Sequence, residues 1–222
     1  MDSLGREQLQ FPPVPAEDRE RGRNDNAYNA ARDASLRDQQ IFIQTHTATA
    51  LDLSHRTGVP ASVLIAMACV ESGYGFTRTA VNANNYFGIK YQSGALNEVY
   101  QLVGQPNEDG DARTYAIEVI NNDTNRIIFD EARRRTNRYR RFSSPADAFK
   151  YLASVLLQND RYRGATTAYA AHRSAGMSKF DAAAEFARDI GARGYHHLGG
   201  DYYRDRVVAP ILRRHNLTGI DP

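Results

Sequence analysis

The chain has 222 residues, of which 41% are hydrophobic and 24% are charged, a composition typical of a globular protein with one main domain. Its 28 basic and 26 acidic residues give a formal net charge of only +2, which indicates no strong field for an anionic partner. No apolar run approaches the roughly 18 residues that a membrane-spanning helix needs. The single cysteine, Cys69, excludes an internal disulfide and a metal site built from several cysteines.

Residues 1–34 are polar and contain the segments PPVP and EDRERGRNDN. Such a composition buries too little apolar surface to fold alone, so we expect an N-terminal arm or linker there. One domain is expected over residues 35–222. The first residues lack the apolar stretch of a secretory signal peptide, and none is predicted.

Two helices are predicted before residue 75. Ser35 and Asp38 form a capping-box pattern, and the helix after them is expected to run to about residue 55 with an apolar face that includes Ile41. The second helix follows Pro60 and covers about 61–73, where apolar residues occur on nearly all sides. A helix of that kind is normally buried at the centre of a domain.

Between about residues 98 and 142 the pattern changes to that of strands. Apolar residues alternate along 115–119, the turn-forming segment NNDTN follows at 121–125, and a second strand is predicted at 126–129. We therefore expect a small antiparallel hairpin lobe between two helical halves. The arginine-rich run 133–141 is interpreted as a solvated strand or loop rather than an anion-binding stripe.

Helices return after this lobe. Ser144 and Ser178 are each followed three residues later by an aspartate, so each is expected to begin a helix. A final helix is predicted over about 202–215, limited or kinked by Pro210. The core stripe expected for the first of these helices is Phe149, Leu152, Ala153 and Leu156. The predicted fold class is mainly α (α+β), with a small antiparallel β-hairpin lobe.

The carboxyl group of Glu71 lies in the last turn of the apolar helix, close to Gly73 and Gly75. Burial and the partial negative charge of a helix C-terminus both disfavour a carboxylate, so we expect a raised pKa for Glu71. A carboxylic acid that is protonated near neutral pH can donate a proton to a glycosidic leaving oxygen. The alternative is a glutamate that turns to solvent where the helix ends, and spacing alone leaves both open.

Three segments are informative together. VESGYG at 70–75 is followed by NNYFGIK at 84–90, RRFSSPADAFKYLASVLLQNDRYRGA lies at 140–165, and ARGYHHLGGDYYRDRV lies at 192–207. In this order they resemble the ESGWG and NNLFGIK pair, the helix ending in N-x-R-Y, and the GYATDPxYAxK element of glycoside hydrolase family 73. These enzymes are bacterial peptidoglycan N-acetylglucosaminidases, and they include the C-terminal domain of the flagellar peptidoglycan hydrolase. The resemblance extends over about 38–215.

The resemblance implies a lysozyme-like, two-lobed domain in which Glu71 is the general acid and Tyr195 lines the cleft and supports the reacting centre. It also implies a set of substrate-binding residues: Tyr74, Asn85, Phe87, Gly88 and Tyr203. Tyr74 stands where the family usually has tryptophan, an aromatic exchange that keeps a surface for sugar stacking. From the residues alone, packing fits Phe87 and a loop-holding hydrogen bond fits Asn85 as well as a site-lining role does.

The family often has a second acidic residue in the β-lobe, and Glu118 is the candidate here because alternation places it opposite the apolar face of its strand. An exposed strand glutamate fits the pattern equally well, and Asp123 and Glu131 are competitors. Two mechanisms stay open. Glu118 could activate water in an inverting reaction, or the acetamido group of the substrate could attack with support from Tyr195.

His196 stands where the family has threonine, and the loop before Tyr203 is about two residues longer, which alters the surroundings of Tyr195. His196 and His197 are adjacent, and neighbouring side chains tend to point apart, so no metal site is predicted. No cofactor is implied. The run at 133–141 has little aromatic interleaving, so no nucleic-acid partner is expected.

The function implied is that of a monomeric endo-β-N-acetylglucosaminidase that hydrolyses the β-1,4 bond after N-acetylglucosamine in peptidoglycan glycan strands. Muramidases and lytic transglycosylases are the nearest rivals, but they typically follow their ES motif with a GLMQ-like segment, whereas this chain has FGIK. A non-catalytic wall-binding or assembly protein is the rival from another class. Without a signal peptide, action on the bacterial wall in the periplasm or outside the cell implies a phage lysin or a secreted antibacterial effector. An effector would have an immunity protein in its cleft as a partner.

Overall fold

The computed structural model describes residues 34–92, 98–101, 105–106, 118–123, 126–130 and 138–222. The predicted N-terminal arm therefore lies outside the described residues, apart from Ala34. The chain divides into two compact units. The helical unit consists of Ala34–Gly75 and Ser144–Pro222, and the strand unit includes Phe76–Ser143.

The helices of the described chain are α1 (Leu36–Thr57), α2 (Ala61–Ser72), α3 (Arg78–Ala83), α4 (Pro145–Tyr151), α5 (Arg163–Ser174), α6 (Lys179–Ile190), α7 (Gly199–Tyr202) and α8 (Ala209–Arg214). Wider π-helical turns continue α4 over Leu152–Leu156, continue α6 over Gly191–Tyr195 and join α7 to α8 over Tyr203–Val208. A 3₁₀ turn, Leu217–Ile220, precedes the C-terminus. The strands are β1 (Val99–Gln101), β2 (Gln105–Pro106), β3 (Glu118–Asp123), β4 (Arg126–Asp130) and β5 (Arg138–Arg140).

Helix α1 begins with the predicted capping box, but it buries a different face from the one expected. The main-chain N–H of Asp38 donates to Ser35 Oγ over 3.2 Å, and that of Ser35 donates to Asp38 Oδ2 over 2.9 Å. Ile41 is 51% exposed. The buried face is offset by one residue and includes Phe42 and His46, whose rings lie 4.7 Å apart. Aromatic contacts within the helical unit therefore decide which side of α1 faces the core.

Helix α2 is the buried element that the sequence predicts. Residues 61–69 are each at most 1% exposed, and Cys69 lies among them as a core residue with a thiol pKa raised to about 12 by burial. Pro60, at the N-terminal end, provides no side-chain cap. The carboxylate of Asp221 caps the helix instead, accepting from Ser62 N over 2.8 Å and from Ser62 Oγ over 2.5 Å. Lys179 Nζ donates to the main-chain carbonyl of Asp221 and holds the C-terminal segment in place.

Helix α4 starts as predicted, with Ser144 Oγ accepting from the N–H of Asp147 over 3.2 Å. Its core stripe is shifted at one position, because Leu157 is fully buried and Leu156 is not. The cause is the π-helical turn, in which Leu157 N donates to Leu152 O over 2.9 Å and one extra residue enters the turn. The 3.6-residue period assumed from sequence therefore fails at this position.

The strand unit contains two small antiparallel sheets. In one, β1 pairs with β5, and in the other the strand order is β2-β4-β3. The predicted pairing of β3 with β4 is confirmed, but the expected turn at 121–125 begins too early. Asn121 and Asn122 are paired with Ile128 and Ile127, and the register shifts between Val119 and Asn121. Main-chain pairing thus overrides the turn preference of the asparagines, while 115–117 and 131–137 lie outside the described residues.

The mainly helical fold class is confirmed, with the strands confined to one unit. Among the helices of the described chain, none has the length and apolarity required to cross a membrane.

The cap on α2 generates a test of stability. Asp221→Ala removes both acceptors of Ser62 and leaves buried donors at the start of α2, so we expect a loss of about 2 kcal/mol in the free energy of unfolding. Urea unfolding followed by circular dichroism measures it. Asp160→Ala is the control, since the Asp160 side chain is 91% exposed and forms a surface ion pair with Arg163, which contributes little to stability. Equal stability of the two variants would contradict a capping role for Asp221.

Candidate active site

Glu71 lies in the last turn of α2. Its side chain keeps some contact with solvent, but the surrounding protein is dense enough that burial raises the pKa of its carboxyl group to about 7. The raised pKa predicted from sequence is therefore present. At neutral pH a substantial fraction of Glu71 is protonated and available as a proton donor.

The turn after Glu71 is held by Ser72, a residue that the sequence analysis did not single out. The fully buried Ser72 Oγ donates to Ala68 O over 2.6 Å and accepts from Gly75 N over 2.7 Å. Tyr74, which lies between Ser72 and Gly75 in the chain, has a positive φ of 58°, a conformation that a residue with a side chain rarely adopts. The serine of the ESGYG motif thus fixes the chain reversal next to the acid, and the motif itself was the signal that could have identified it.

Tyr74 projects its ring between two other aromatic side chains of the helical unit. Its ring meets Phe42 edge-on at 6.0 Å and His215 at 5.7 Å, and its hydroxyl group forms a 2.8 Å hydrogen bond with His215 Nε2. The side chain is half-buried. The ring is therefore fixed in orientation, and its predicted contact with a sugar stays a prediction.

Tyr195 ends the π-helical turn that continues α6. Its ring meets Tyr162 edge-on at 6.1 Å and lies 5.6 Å from the ring of Tyr203. The pKa of Tyr195 is raised well above its ordinary value, first by burial and then by electrostatic interactions with Glu71 and Tyr162. The structure thus brings Glu71 and Tyr195 into electrostatic contact, and Tyr195 keeps its proton at working pH.

The N-x-R-Y segment positions Tyr195. Asn159 Oδ1 accepts from Arg161 N over 3.0 Å and from Tyr162 N over 3.2 Å, which closes a tight turn. From this turn Arg161 Nε donates to the carbonyl of Arg193, while Tyr162 packs on the Tyr195 ring. The N-x-R-Y motif, a family resemblance in the sequence, thus has a physical role as the turn that supports Tyr195.

Tyr203 lies behind Tyr195 and has no exposed surface. The backbones of the segments around it approach closely, since a Cβ atom on Gly191 would come within 2.9 Å of Tyr203 Cβ and within 3.0 Å of Gly200 Cα. The ring of His196 stacks on Tyr203 at 5.2 Å. Tyr203 contacts Tyr195 in this conformation, and its predicted substrate contact stays a prediction.

Asn85, Phe87 and Gly88 belong to the strand unit. Asn85 is fully buried: its Oδ1 accepts from Ile89 N over 3.0 Å, and its Nδ2 donates over 2.8 Å to Ile89 O and to Arg140 O. Phe87 is buried, and Gly88 has a φ of 61° with open space where a Cβ would stand. Of the roles left open for Asn85 and Phe87, loop-holding and packing are the ones visible here.

Glu118 is the first residue of β3, and its main chain pairs with Asp130. Its side chain and the whole of Glu131 lie outside the described structure. The second carboxylate stays a prediction for that reason.

The adjacent histidines stack on each other rather than diverge. The rings of His196 and His197 lie 4.7 Å apart at 27°, and His196 Nδ1 accepts from Leu198 N over 3.2 Å. Within the part of the chain that the structure describes, no group of three or more histidine, cysteine, aspartate or glutamate side chains is arranged to hold a metal ion.

Glu71 is partly protonated and lies beside the protonated Tyr195 at the end of a buried helix. This arrangement suits general acid catalysis, which glycosidases use to cleave their substrates. The sequence model of the glucosaminidase family, described as mannosyl-glycoprotein endo-beta-N-acetylglucosaminidase, matches residues 47–217. The chain therefore belongs to the glucosaminidase family of glycoside hydrolases, and the predicted family membership is confirmed. No curated protein matches the chain.

Solved structures show the same fold. N-acetylmuramoyl-L-alanine amidase from Staphylococcus aureus is 17% identical with a TM-score of 0.53, and the match covers 85% of this chain and 45% of that one. The catalytic domain of the autolysin Auto from Listeria monocytogenes is 18% identical with a TM-score of 0.50, and the match covers 95% and 100%. The chain thus spans less than half of the staphylococcal chain. At these identities the likeness concerns the fold alone.

The glycine before Tyr195 generates a matched pair of variants. Gly194 has a φ of +89°, and a Cβ there would collide with the Arg161 guanidinium group, whereas Gly176 has a φ of +83° with open space around it. Both alanine variants carry the backbone strain of about 1–2 kcal/mol, and Gly194→Ala additionally displaces Arg161. We expect Gly194→Ala to lower the free energy of unfolding by about 0.5–1.5 kcal/mol more than Gly176→Ala in urea titrations, because displacement of Arg161 breaks its hydrogen bond to the Arg193 carbonyl. Equal losses would show that Arg161 does not support this turn.

Proposed function

We propose that the chain is an endo-β-N-acetylglucosaminidase that hydrolyses the β-1,4 bond after N-acetylglucosamine in bacterial peptidoglycan. The observation that carries the proposal is the carboxyl group of Glu71, whose pKa is raised to about 7 by burial at the end of α2, next to Tyr195. Membership of the glucosaminidase family supports the bond, and the resemblance to peptidoglycan N-acetylglucosaminidases supports the substrate.

In the proposed reaction the protonated Glu71 gives its proton to the glycosidic oxygen as the bond to the sugar breaks. Positive charge then develops at the anomeric carbon, and the Glu71 carboxylate is left behind. Tyr195 stays protonated, so it can donate a hydrogen bond to the substrate or to the carboxylate but cannot act as a base. The water that completes hydrolysis is activated either by a second carboxylate or after attack by the acetamido group of the substrate.

Glu71→Gln tests the acid directly. The amide has almost the size of the carboxyl group but no proton to give, so we expect kcat on purified peptidoglycan to fall by about a hundredfold or more. In the wild type, kcat should decline as the pH rises above about 7, because the ionised form of Glu71 accumulates. Release of reducing sugar over a pH series measures both effects. Wild-type activity in the variant would refute the assignment.

The released fragments identify the bond and separate the alternatives. A reducing-end N-acetylglucosamine in the mass spectrum supports the proposal, a reducing-end N-acetylmuramic acid indicates a muramidase, and an anhydro-muropeptide indicates a lytic transglycosylase. A mannosyl-glycoprotein serves as a second substrate, since the family description names that class. Binding to walls without any turnover would instead indicate the non-catalytic wall-binding or assembly protein.

Glu118 is proposed as the second carboxylate of an inverting reaction, in which the two carboxyl groups stand roughly 6.5–9.5 Å apart. We expect Glu118→Gln to lower kcat by about a hundredfold with little change in KM, because the water then lacks its general base. Reducing-sugar kinetics measure the change, and Asp123→Asn and Glu131→Gln test the two competing carboxylates in the same assay. Full activity of Glu118→Gln would contradict this role and favour attack by the acetamido group.

We further propose a bacteriolytic role for the chain, as a phage lysin or a secreted antibacterial effector that acts on the wall. The producing cell has to protect its own wall from such an enzyme, and a protein inhibitor that occupies the active site would provide this protection. Lysis of cells after export of the wild type, but not of Glu71→Gln, supports this role. Wall hydrolysis without any loss of viability would contradict it.

A further inference from the structure

The hydroxyl group of Tyr203 is enclosed by protein and has no hydrogen-bond partner among the residues that the structure describes. A buried hydroxyl without a partner is unfavourable, and phenylalanine would fill the same space without that cost. Packing against Tyr195 and His196 therefore does not explain why this position holds a tyrosine. Buried polar groups of this kind occur where a protein trades stability for function.

The surroundings of Tyr203 connect it to the proposed acid. Its ring lies 5.6 Å from that of Tyr195 and is tilted by 40°, so the two side chains are direct neighbours. Burial is the largest cause that raises the pKa of Tyr203 well above its ordinary value, and electrostatic interactions with Tyr195 and Glu71 raise it further. Tyr203 therefore keeps its proton at any working pH and remains a hydrogen-bond donor.

The other titratable side chains around Tyr195 and Tyr203 already have contacts of their own. His196 stacks on the ring of Tyr203, and Tyr162 meets the ring of Tyr195 edge-on. Arg204, the next residue in the chain, is tied to Glu185 over 2.8 Å and to Asp205 over 2.7 Å. Among these groups, the O–H group of Tyr203 is therefore a neutral hydrogen-bond donor close to Tyr195 and Glu71.

We propose that Tyr203 is a positioning residue, whose ring orients Tyr195 and whose buried O–H group stabilises the carboxylate that Glu71 becomes when its proton leaves. The inference rests on the proposed role of Glu71 as general acid. The proton passes from Glu71 to the glycosidic oxygen, and Tyr203 neither gains nor loses one. A donor that favours the carboxylate makes Glu71 a stronger acid, so loss of this donor raises the pKa of Glu71 and slows proton transfer.

Tyr203→Phe tests the proposal because it removes only the hydroxyl group. We expect a melting temperature equal to or above that of the wild type, since no bond to a described residue is lost. We expect kcat on peptidoglycan to fall by up to about tenfold with KM little changed, because a rise of about one unit in the pKa of Glu71 makes it a weaker acid. The alkaline limb of the kcat profile should move to higher pH by about one unit.

Tyr169→Phe is the matched control. Tyr169 belongs to the same helical unit, where its ring meets Phe186 edge-on at 6.2 Å, and its pKa is raised first by burial and then by Asp221 rather than by Glu71. This variant should keep both kcat and the pH profile. An unchanged kcat and pH profile in Tyr203→Phe would overturn the proposal, and so would a fall in kcat that accompanies a lower melting temperature without any shift in the profile.

A second measurement separates this inference from the proposed function. Carbon-13 NMR of protein labelled at glutamate carboxyl groups follows the titration of Glu71 without any substrate, and Glu71→Gln identifies its signal. We expect the midpoint, about 7 in the wild type, to rise in Tyr203→Phe and to stay constant in Tyr169→Phe. If peptidoglycan is not cleaved but the midpoint rises, the proposed function fails while the coupling of Tyr203 to Glu71 stands. A midpoint that does not move refutes the coupling.

Discussion

The burial of residues 61–69 of α2 on all sides is the constraint on which the candidate active site depends. A helix enclosed in this way cannot rotate or slide without disturbing the whole core, so the residue at its end has a fixed position. Its two ends are secured by buried polar contacts. At the start of α2, Asp221 accepts hydrogen bonds from Ser62. At its end, Ser72 links the last turn to the chain reversal that follows. Glu71 is thus held at the boundary between a dry core and solvent.

That boundary explains the electrostatics of the site. Glu71 retains some exposure, yet burial raises its pKa to about 7, and the tyrosines nearest to it keep their protons. Two phenol groups and one carboxyl group share a space in which only one negative charge is tolerable. The tyrosines also lie in π-helical turns, which are less regular than α-helix and which redirect Tyr195 and Tyr203 toward each other. The irregular π-helical turns therefore place the two tyrosines, while the regular helix α2 places Glu71.

Among the described residues of the strand unit, main-chain hydrogen bonds pair the strands, and the buried amide of Asn85 adds to them. Asn85 provides several hydrogen bonds. Its amide bridges the main chain at Ile89 and Arg140, so the NNYFGIK loop is attached to β5. A buried asparagine with its donors and acceptor satisfied specifies one loop conformation and no other. Its burial makes it a structural residue of the family-like motif.

Local signals in the sequence determined much of this protein: the caps at Ser35, Ser144 and Ser178, the apolar helix that ends in Glu71, and the ordered motifs that indicate the family. These features involve residues a few positions apart, where spacing alone implies contact. Only the tertiary structure decided the features that depend on distant partners or on irregular turns. Examples are the cap on α2, supplied 159 residues away along the chain, and the replacement of Leu156 by Leu157 in the core. The burial of Tyr203 behind Tyr195 is another, because periodicity carries no information on which aromatic ring packs beneath which.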